Sequence, residues 1–496
     1  MKRFIYNGLI LTITSLLVRI IGMFFNIYVT NIVGSEAIGV FHIIMSVYLL
    51  GITFATSGIS LSCTKIISEK IAKNKENEIS SVTNICLKIS LIVSIITAII
   101  IIVFREYITK TWLFNKVSSQ VLIYIGTALP FIAMTAVIDG YFLAVKRVAK
   151  SAIDDVWEVS IKIIVTIILF VKFGVTNIEK SCLYLIIGDV ISEIAAFSLI
   201  FVFYILDIRK YKEGKKSNYI SKILRISMPV AISSYIRSGL STLKQILIPI
   251  MLQKSGIALQ MSMSLYGIIN GMVFPIILFP NFIIMAFSSL LIPEFSEFNA
   301  KNEYTKMNKV IERIFRYLIF FSLYVIGIFI FMAEDISYML YNSYEAIYYI
   351  QILSPLVVFM YLDNIVDSIL KGLDKQVTVM IINIIDLISS ILCIILFIPM
   401  FGMKGYIFVI FFSTILNSSI SVIQIKKTIK MDTNNYINLY KIFISSIISW
   451  IIYLLFSIHT KSLIEKILIY SIIYVTIYYI KHIHTNTSRG KSRKTI

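Results

Sequence analysis

The chain is poor in charge and in cysteine, and each shortage excludes a class of protein. Charged residues make up 15% of its 496 residues, against about 25% in a soluble globular domain. Hydrophobic residues make up 58%, and the mean hydropathy is +0.87. These proportions exclude an ordinary soluble domain and indicate a membrane protein. The four cysteines have no short pairing or metal-ligand spacing, so the sequence predicts neither a disulfide framework nor a metal site.

The sequence also lacks the motif of ATP-driven transport. A phosphate loop reads G-x-x-x-x-G-K-[ST], and the GKS of residues 490–492 has no upstream glycine at that spacing. We therefore expect no ATP hydrolysis by this chain. We also expect no catalytic residues, no enzyme activity and no cofactor other than a coupling ion or the membrane potential.

Apolar runs long enough to cross a hydrocarbon core of about 30 Å recur along the whole chain. The first run is too long for the apolar region of a signal peptide, so we expect it to be retained as a span. The sequence therefore predicts an all-α polytopic membrane protein with about 14 transmembrane helices. The predicted spans are residues 5–33, 39–64, 89–104, 118–145, 159–178, 181–206, 226–250, 262–292, 317–333, 346–370, 376–398, 405–425, 442–458 and 462–480.

The basic residues are distributed unevenly between the two sides of the predicted membrane. Of the 46 Lys and Arg residues, 34 lie in connecting segments on the same side of the membrane as the N-terminus, and 9 lie in the loops on the opposite side. The remaining three, Arg19, Arg237 and Lys244, lie within spans. The positive-inside rule then predicts a multi-pass protein of the cell membrane with both termini in the cytoplasm. The formal net charge of +19 is thus mainly a topology signal, with attraction to the lipid bilayer and not to nucleic acid.

The chain repeats itself over a long distance. Residues 68–74 read SEKIAKN and residues 296–302 read SEFNAKN, an offset of 228, and Asp139 and Asp367 are separated by the same number. Six spans separate equivalent helices, so we predict two six-helix lobes related by a parallel repeat, plus two C-terminal helices. The predicted domains are residues 1–218 (spans one to six), 219–430 (spans seven to twelve) and 431–496 (two extra spans and a basic cytoplasmic tail).

Three cations lie where a membrane span should be apolar. Arg19 is about fourteen residues from each end of the first span, and its SLLVR is echoed by the SSYIR that ends at Arg237. Lys244 follows Arg237 by two helical turns. A cation at a span centre costs about 2.5–3.5 kcal/mol on insertion scales, so it normally faces a protein interior or a wet cavity. We predict that Arg19, Arg237 and Lys244 bind an anionic headgroup in a central cavity.

Carboxylates within the predicted spans leave other interpretations open. Asp189 with Glu193, and Asp363 with Asp367, are each four residues apart and share a helix face. These groups could neutralise the three cations internally. Alternatively, they could bind a coupling proton or sodium ion. The candidates for ion coupling or internal pairing are Asp189, Glu193, Asp367 and Asp386.

Five segments carry a family resemblance. They are S15-x-x-x-R19-x-x-G22, NIVGSEAIG at 31–39, TFATSGIS at 53–60, SEKIAKNKEN from residue 68, and SSYIRSGLSTLKQILIP at 233–249. Together they resemble the stage V sporulation protein B group of polysaccharide-export proteins. That group is related to the MurJ-type lipid II flippases, in the superfamily that also holds the multidrug and toxic-compound extruders. The resemblance covers nearly the whole chain.

The resemblance implies a flippase that moves an undecaprenyl-pyrophosphate-linked saccharide, such as lipid II, across the cytoplasmic membrane by alternating access. It assigns Arg19 to the first arginine of the MurJ pattern. Where that pattern has a second arginine six residues on, this chain has Phe25, and its second span reads YLLGITF in place of a segment with arginines. These departures separate the chain from the lipid II pattern itself and leave the substrate class unchanged.

Two alternatives belong to other functional classes. An ion-coupled multidrug exporter would have a net acidic cavity, which three midspan cations oppose. A non-transporting scaffold would recruit cell-wall synthases through its basic cytoplasmic loops, and it predicts that both arginines can be replaced without effect.

Overall fold

Helices joined by short turns form almost all of the chain that the structure describes. The computed structural model describes residues 2–211, 219–429, 439–456 and 462–492. Within a bilayer, backbone N–H and C=O groups have no water to bond to, so helices that satisfy them internally are favoured. The helices are Lys2–Thr56 (α1), Ile59–Ala72 (α2), Ile79–Val103 (α3), Arg105–Thr111 (α4), Gln120–Ala144 (α5), Ala149–Phe173 (α6), Ile178–Ile208 (α7), Ile220–Lys254 (α8), Leu259–Gly267 (α9), Phe274–Leu278 (α10), Asn281–Ala300 (α11), Tyr304–Phe331 (α12), Ala333–Tyr341 (α13), Ile347–Leu353 (α14), Val357–Gly372 (α15), Gln376–Phe401 (α16), Met403–Ile429 (α17), Leu439–Phe456 (α18) and Leu463–Ser492 (α19).

The prediction of an all-α polytopic membrane protein is confirmed. Within the described ranges, nine helical segments are long and apolar enough to cross a membrane. One of them, Thr12–Ala72, contains most of the first predicted span and all of the second. The number fourteen stays a prediction.

A single glycine separates the first two predicted spans. Gly34 lies inside α1 with φ 81° and ψ 170°, a conformation that glycine adopts without the steric cost of a Cβ. It falls in the predicted connection at residues 34–38, and it divides α1 into a first half and a second half. After a turn at Gly58, α2 continues toward the predicted cytoplasmic side.

The eighth predicted span, residues 262–292, is divided in the structure. A π-helical segment, Ile268–Val273, separates α9 from α10, and α11 begins directly after Pro280. Proline lacks the backbone N–H, and its ring clashes with the carbonyl of the preceding turn. Pro275, at the start of α10, and Pro280 therefore account for the interruption of this apolar run.

The backbone repeats at the offset that the sequence indicates. At four places, residues 228 apart both adopt a left-handed conformation in the connections between their helices. Lysine and phenylalanine, at Lys146 and Phe114, rarely adopt a positive φ, so its recurrence at a fixed offset reflects a shared chain path. The pairs are Asn74 with Asn302 (φ 53° and 54°), Phe114 with Asn342 (54° and 48°), Lys146 with Asp374 (60° and 59°), and Gly174 with Gly402 (68° and 57°).

Helix contacts group the chain into two compact units. The first comprises Met1–Gly271 and Leu387–Tyr406, and the second comprises Met272–Asp386 and Ile407–Ile496. In the first unit α1 packs against α5, α6, α7, α8 and α9, and in the second α12 packs against α15 and α18. The predicted boundaries at 218 and 430 lie outside the described residues, and the division into 1–218, 219–430 and 431–496 stays a prediction.

Candidate substrate-binding and ion-coupling sites

Arg19 lies in the first half of α1 with its side chain exposed. Its neighbours Leu17 and Ile21 are also exposed, so the arginine interrupts an apolar surface of the helix. The position is one where a charge is unfavourable unless it faces a polar ligand or a wet space. The exposure is compatible with the predicted headgroup contact.

The other two predicted ligands of the headgroup lie on α8. Arg237 is exposed and Lys244 is half-buried. The ammonium group of Lys244 donates a hydrogen bond to the hydroxyl of Ser390 on α16, with 3.1 Å between Nζ and Oγ. Lys244 therefore has a polar partner within the protein, as the internal-pairing interpretation expects of a midspan cation.

Polar contacts hold α8 against α1. The hydroxyl of Thr242 donates to the carbonyl of Ser46 at 3.0 Å, and the hydroxyl of Tyr235 donates to the carbonyl of Phe54 at 3.1 Å. Both carbonyls belong to the second half of α1, whereas Arg19 lies in the first. The structure thus places all three cations in the first unit, and their convergence on one cavity stays a prediction.

Asp189, a candidate for ion coupling, is paired with a lysine of the neighbouring helix. Lys162 lies on α6, and its Nζ forms an ion pair with Oδ1 of Asp189 on α7. Asp189 is 5% exposed, and its Oδ2 is buried with no hydrogen-bond partner in the described structure. Lys162 was not counted among the midspan cations, although its position inside the predicted span 159–178 was a signal for it.

A small residue allows α6 and α7 to come close enough for this pair. A Cβ built on Gly188 would lie 2.2 Å from Oγ1 of Thr166 and 3.6 Å from the carbonyl oxygen of Lys162. The first distance is far shorter than any normal contact, so the glycine sets the spacing of the two helices. Asp189 follows Gly188 directly and thereby reaches Lys162.

Four carboxylates lie around Lys162. Glu158 precedes it by one helical turn and Asp154 by two, and Glu193 follows Asp189 by one turn. Asp154 is 2% exposed, and its Oδ1 has no hydrogen-bond partner within the described residues. Glu193 interacts electrostatically with Glu158, Asp189, Lys162 and Asp154. We name these five residues, Asp154, Glu158, Lys162, Asp189 and Glu193, the α6–α7 cluster.

Full ionisation of the α6–α7 cluster would place four negative charges around one positive charge. Groups one helical turn apart are about 6 Å apart, and at an effective dielectric constant of about 20 two like charges at that distance repel by about 3 kcal/mol. Like charges that share a site disfavour ionisation of the second group. The cluster is therefore suited to hold an additional positive charge.

A second polar cluster lies in the second unit. Ser413 Oγ donates to Asp386 Oδ1 at 2.7 Å, and Asn417 Nδ2 donates to Asp363 Oδ2 at 3.2 Å. The same Asn417 nitrogen is 3.5 Å from Oδ1 of Asn383. We name Asp363, Asn383, Asp386, Ser413 and Asn417 the α15–α17 cluster.

The four candidate coupling carboxylates are thus divided between the two units. Asp189 and Glu193 belong to the α6–α7 cluster, and Asp386 belongs to the α15–α17 cluster. Asp367 is half-buried, one turn after Asp363 on α15, and interacts with Lys371.

The two clusters share two equivalent positions of the repeat, Glu158 with Asp386 and Asp189 with Asn417. At the 228-residue offset, charged groups of the first half are replaced mainly by neutral ones in the second half. Lys244 reaches Ser390, the counterpart of Lys162. The pairs are Glu158 with Asp386, Lys162 with Ser390, Asp189 with Asn417, and Glu193 with Ser421.

Sequence patterns gave no indication of one further buried carboxylate. Asp207, near the end of α7, is 1% exposed and accepts a hydrogen bond from the hydroxyl of Tyr141 at 2.9 Å. It also forms ion pairs with Arg147, with Lys150 at 3.4 Å and with Lys210 at 3.2 Å. These basic residues are spread over two predicted cytoplasmic connections, so only the fold brings them to one carboxylate.

A helical membrane protein with midspan cations and buried carboxylate clusters has the features of a membrane transporter. The family model described as "Polysaccharide biosynthesis protein" matches residues 4–299, and the chain belongs to this family. A second model, MatE, matches residues 240–396.

Curated relatives from Bacillus subtilis (strain 168) match most of the chain. Stage V sporulation protein B is 22% identical over 383 residues, which cover 75% of this chain and 73% of the relative. Sporulation protein YkvU is 22% identical over 368 residues, covering 72% and 80%. The resemblance predicted from the sequence is confirmed.

Solved structures show the same fold. The inward closed conformation of the lipid II flippase MurJ superposes with a TM-score of 0.71 at 18% identity, covering 95% of this chain and 97% of that one. An inward-facing multidrug resistance MATE family transporter of the MOP superfamily gives 0.68 at 13% identity, covering 84% and 94%. The chain thus has the fold of these two membrane proteins.

Proposed function

We propose that the chain translocates an undecaprenyl-pyrophosphate-linked saccharide, lipid II or a related cell-wall or polysaccharide precursor, across the cytoplasmic membrane by alternating access. The family and the similarity to a lipid II flippase support this substrate class. The observation that carries the proposal is the exposure of Arg19 and Arg237, which both lie within predicted spans of one unit. A polyprenyl-linked headgroup carries phosphates that two arginines can bind. The cationic substrates of a drug exporter would instead be repelled by these arginines.

The pyrophosphate carries about two negative charges, which two guanidinium groups can bind through paired, charge-assisted hydrogen bonds. Within a low-dielectric environment such bonds are stronger than in water. Lys244 supplies a third donor, and its bond to Ser390 competes with the headgroup. Release on the outer side requires that the outward-open state binds the headgroup less tightly, because a ligand shifts only an equilibrium whose states it distinguishes.

The test is to deplete cells of their own lipid II flippase, supply this chain, and measure lipid II in the outer leaflet. We expect the parent chain to restore it, and we expect the Arg19→Ala and Arg237→Ala forms to lose most of that activity. Arg225→Ala is the matched control, because Arg225 is an exposed arginine on the same helix, three turns before Arg237. It should restore outer-leaflet lipid II as the parent does.

Other outcomes point to other functions. A parent chain that is inserted but does not restore outer-leaflet lipid II contradicts lipid II as the substrate, and other undecaprenyl-linked sugars are then tested in the same assay. Altered drug tolerance in the Arg19→Ala form, with unchanged lipid export, contradicts the flippase and favours the multidrug exporter. If cells that carry the Arg19→Ala or the Arg237→Ala form grow as the parent cells do, the result favours the scaffold that recruits cell-wall synthases.

We also propose that both termini lie in the cytoplasm. The support is the excess of 34 basic residues over 9 between the two sides. Labelling of single introduced cysteines with a membrane-impermeant reagent tests it. Position 75, in the connection after α2, should be protected in intact cells, and position 110, in α4, should be labelled.

A further inference from the structure

The α6–α7 cluster takes no part in the headgroup contact proposed above, yet it places more buried charge together than its surroundings balance. We propose that this cluster binds and releases a proton during the transport cycle. As a coupling site it rests on the proposed function, whereas proton binding itself does not.

The geometry leaves the cluster short of positive charge. Lys162 is paired with one oxygen of Asp189, while the other oxygen, Oδ2, is buried and has no partner among the described residues. Asp154 Oδ1 is in the same situation two turns earlier on α6. An ionised carboxylate with an unbonded buried oxygen is unfavourable, and a proton on that group converts it into a neutral donor.

The groups that face the cluster come from every helix packed on it. Helices α1, α5 and α7 all pack against α6. Tyr48 of α1 is 2% exposed, and it interacts electrostatically with Glu158, Asp189 and Glu193. The titratable groups around the cluster are Tyr48 on α1, Asp139 on α5, Asp154, Asp155, Glu158 and Lys162 on α6, and Asp189 and Glu193 on α7.

A proton fits the site better than a metal ion does. The lysine ammonium already lies against Asp189, so a metal ion there would approach a fixed positive charge. The described residues also contain no group of three or more His, Cys, Asp or Glu arranged to hold a metal ion. A proton needs only one carboxylate oxygen to bind. The cluster takes the proton from hydronium on one side of the membrane and returns it to water on the other.

The repeat keeps fewer charged groups at the corresponding positions of the second half. The counterparts of Lys162, Asp189 and Glu193 are Ser390, Asn417 and Ser421, which do not titrate, while the counterpart of Glu158 is the carboxylate Asp386. The α6–α7 cluster thus has more titratable groups than the four corresponding positions, and we expect the proton there.

Infrared difference spectroscopy of the purified full chain in lipid, titrated between about pH 5 and 9, tests the proposal. The probe is the carbonyl band of protonated carboxylic acids. We expect a band near neutral pH that weakens as the pH rises and that Glu193→Gln or Asp154→Asn reduces by roughly half, if about two protons are shared. Glu297→Gln, an exposed carboxylate at the end of α11, is the control and should leave the band unchanged.

Lys162→Met should make the band persist to higher pH, because the cluster then loses its positive charge. Lys162→Arg retains the positive charge, so its band should change with pH as in the parent chain. This variant therefore distinguishes the loss of charge from a structural effect of replacing Lys162. A band that is unaffected in Glu193→Gln, Asp154→Asn and Asp189→Asn overturns the proposal. So does a band that disappears on adding sodium chloride in place of choline chloride at constant pH, because sodium then occupies the site.

Coupling is measured in proteoliposomes with fluorescent lipid II and an imposed pH gradient. A gradient-dependent rate in the parent that is lost in Glu193→Gln supports coupling. Proton binding without gradient dependence overturns coupling and leaves the proposed function intact. Absence of lipid II movement under all conditions contradicts the substrate instead, and the infrared result is unaffected by it.

Discussion

Helices α6 and α7 correspond to α16 and α17 in the repeat, but the two helix pairs differ in the charge of equivalent residues. In the first pair, Lys162 and Asp189 form an ion pair between the two helices. In the second, the corresponding residues are Ser390 and Asn417, and the cation near Ser390 is Lys244 of α8. A duplicated backbone has thus kept its chain path while the charge moved to a different helix. The comparison teaches that polarity at these positions is retained, but ionic charge is not.

The largest expected effect comes from breaking the first pair. Lys162→Met leaves Asp189 buried without its partner, which for buried pairs costs about 3–5 kcal/mol. The lysine side chain is 27% exposed, so the lower end of that range is expected. Thermal unfolding of the purified chain in detergent measures it.

A double variant sharpens the comparison. Lys162→Ser with Asp189→Asn copies the residues of the second half, and it should recover most of the stability that Lys162→Met loses. If the double variant is as unstable as Lys162→Met, the two halves are not equivalent at these positions.

The next effect concerns the helix spacing. Gly188→Ala puts a methyl group where only 2.2 Å separates it from Thr166 Oγ1, so we expect overpacking to cost about 1–3 kcal/mol. Gly239→Ala on α8 is the matched control, because nothing lies within 4 Å of its Cβ position. It should leave the unfolding temperature unchanged or raise it slightly. Equal behaviour of the two variants would contradict the close approach of α6 and α7.

A smaller effect is expected in the second half. Ser413→Ala removes one hydrogen bond to the carboxylate of Asp386, and the net contribution of such a bond is about 0.5–1.5 kcal/mol. Ser418→Ala, the same substitution at another serine of α17, is the control. Unfolding curves of both variants measure the difference, and an equal loss in the two variants would contradict a specific contribution of the Ser413 bond.

The smallest effect is expected at Thr166. Its buried hydroxyl has no hydrogen-bond partner in the part of the chain that the structure describes, so Thr166→Val removes an unsatisfied group of nearly the same shape. The unfolding temperature should stay the same or rise. A marked fall would show that the hydroxyl has a partner in the membrane, such as a water bound within the α6–α7 cluster.

Sequence reasoning reached the helical class, the family and the repeat because each depends on patterns that are local or periodic. SEKIAKN and SEFNAKN lie 228 residues apart, and the structure shows the same offset in Asn74 and Asn302, at the ends of α2 and α11. The division of the eighth predicted span was missed, although Pro275 and Pro280 were visible in it. An apolar run reports burial in lipid, whereas the continuity of a helix depends on its backbone hydrogen bonds.

The candidate site was predicted less completely. Arg19, Arg237 and Lys244 stood out because a charge in an apolar run is unusual, and no structural observation tests their role. Lys162 and Asp207 were missed because their charges lie near span ends, where sequence cannot separate a solvated charge from a paired one.

The sequence by itself determined that this chain crosses a membrane many times, that its two halves are related, and which family it belongs to. Hydropathy, periodicity and motifs are properties of the order of residues. Only the tertiary structure decided which buried charges meet, since the partner of Asp189 is 27 residues away and the partner of Lys244 is 146 residues away. The physical reason is that the energy of a charge in a membrane depends on its neighbours in space, and helix packing alone selects them.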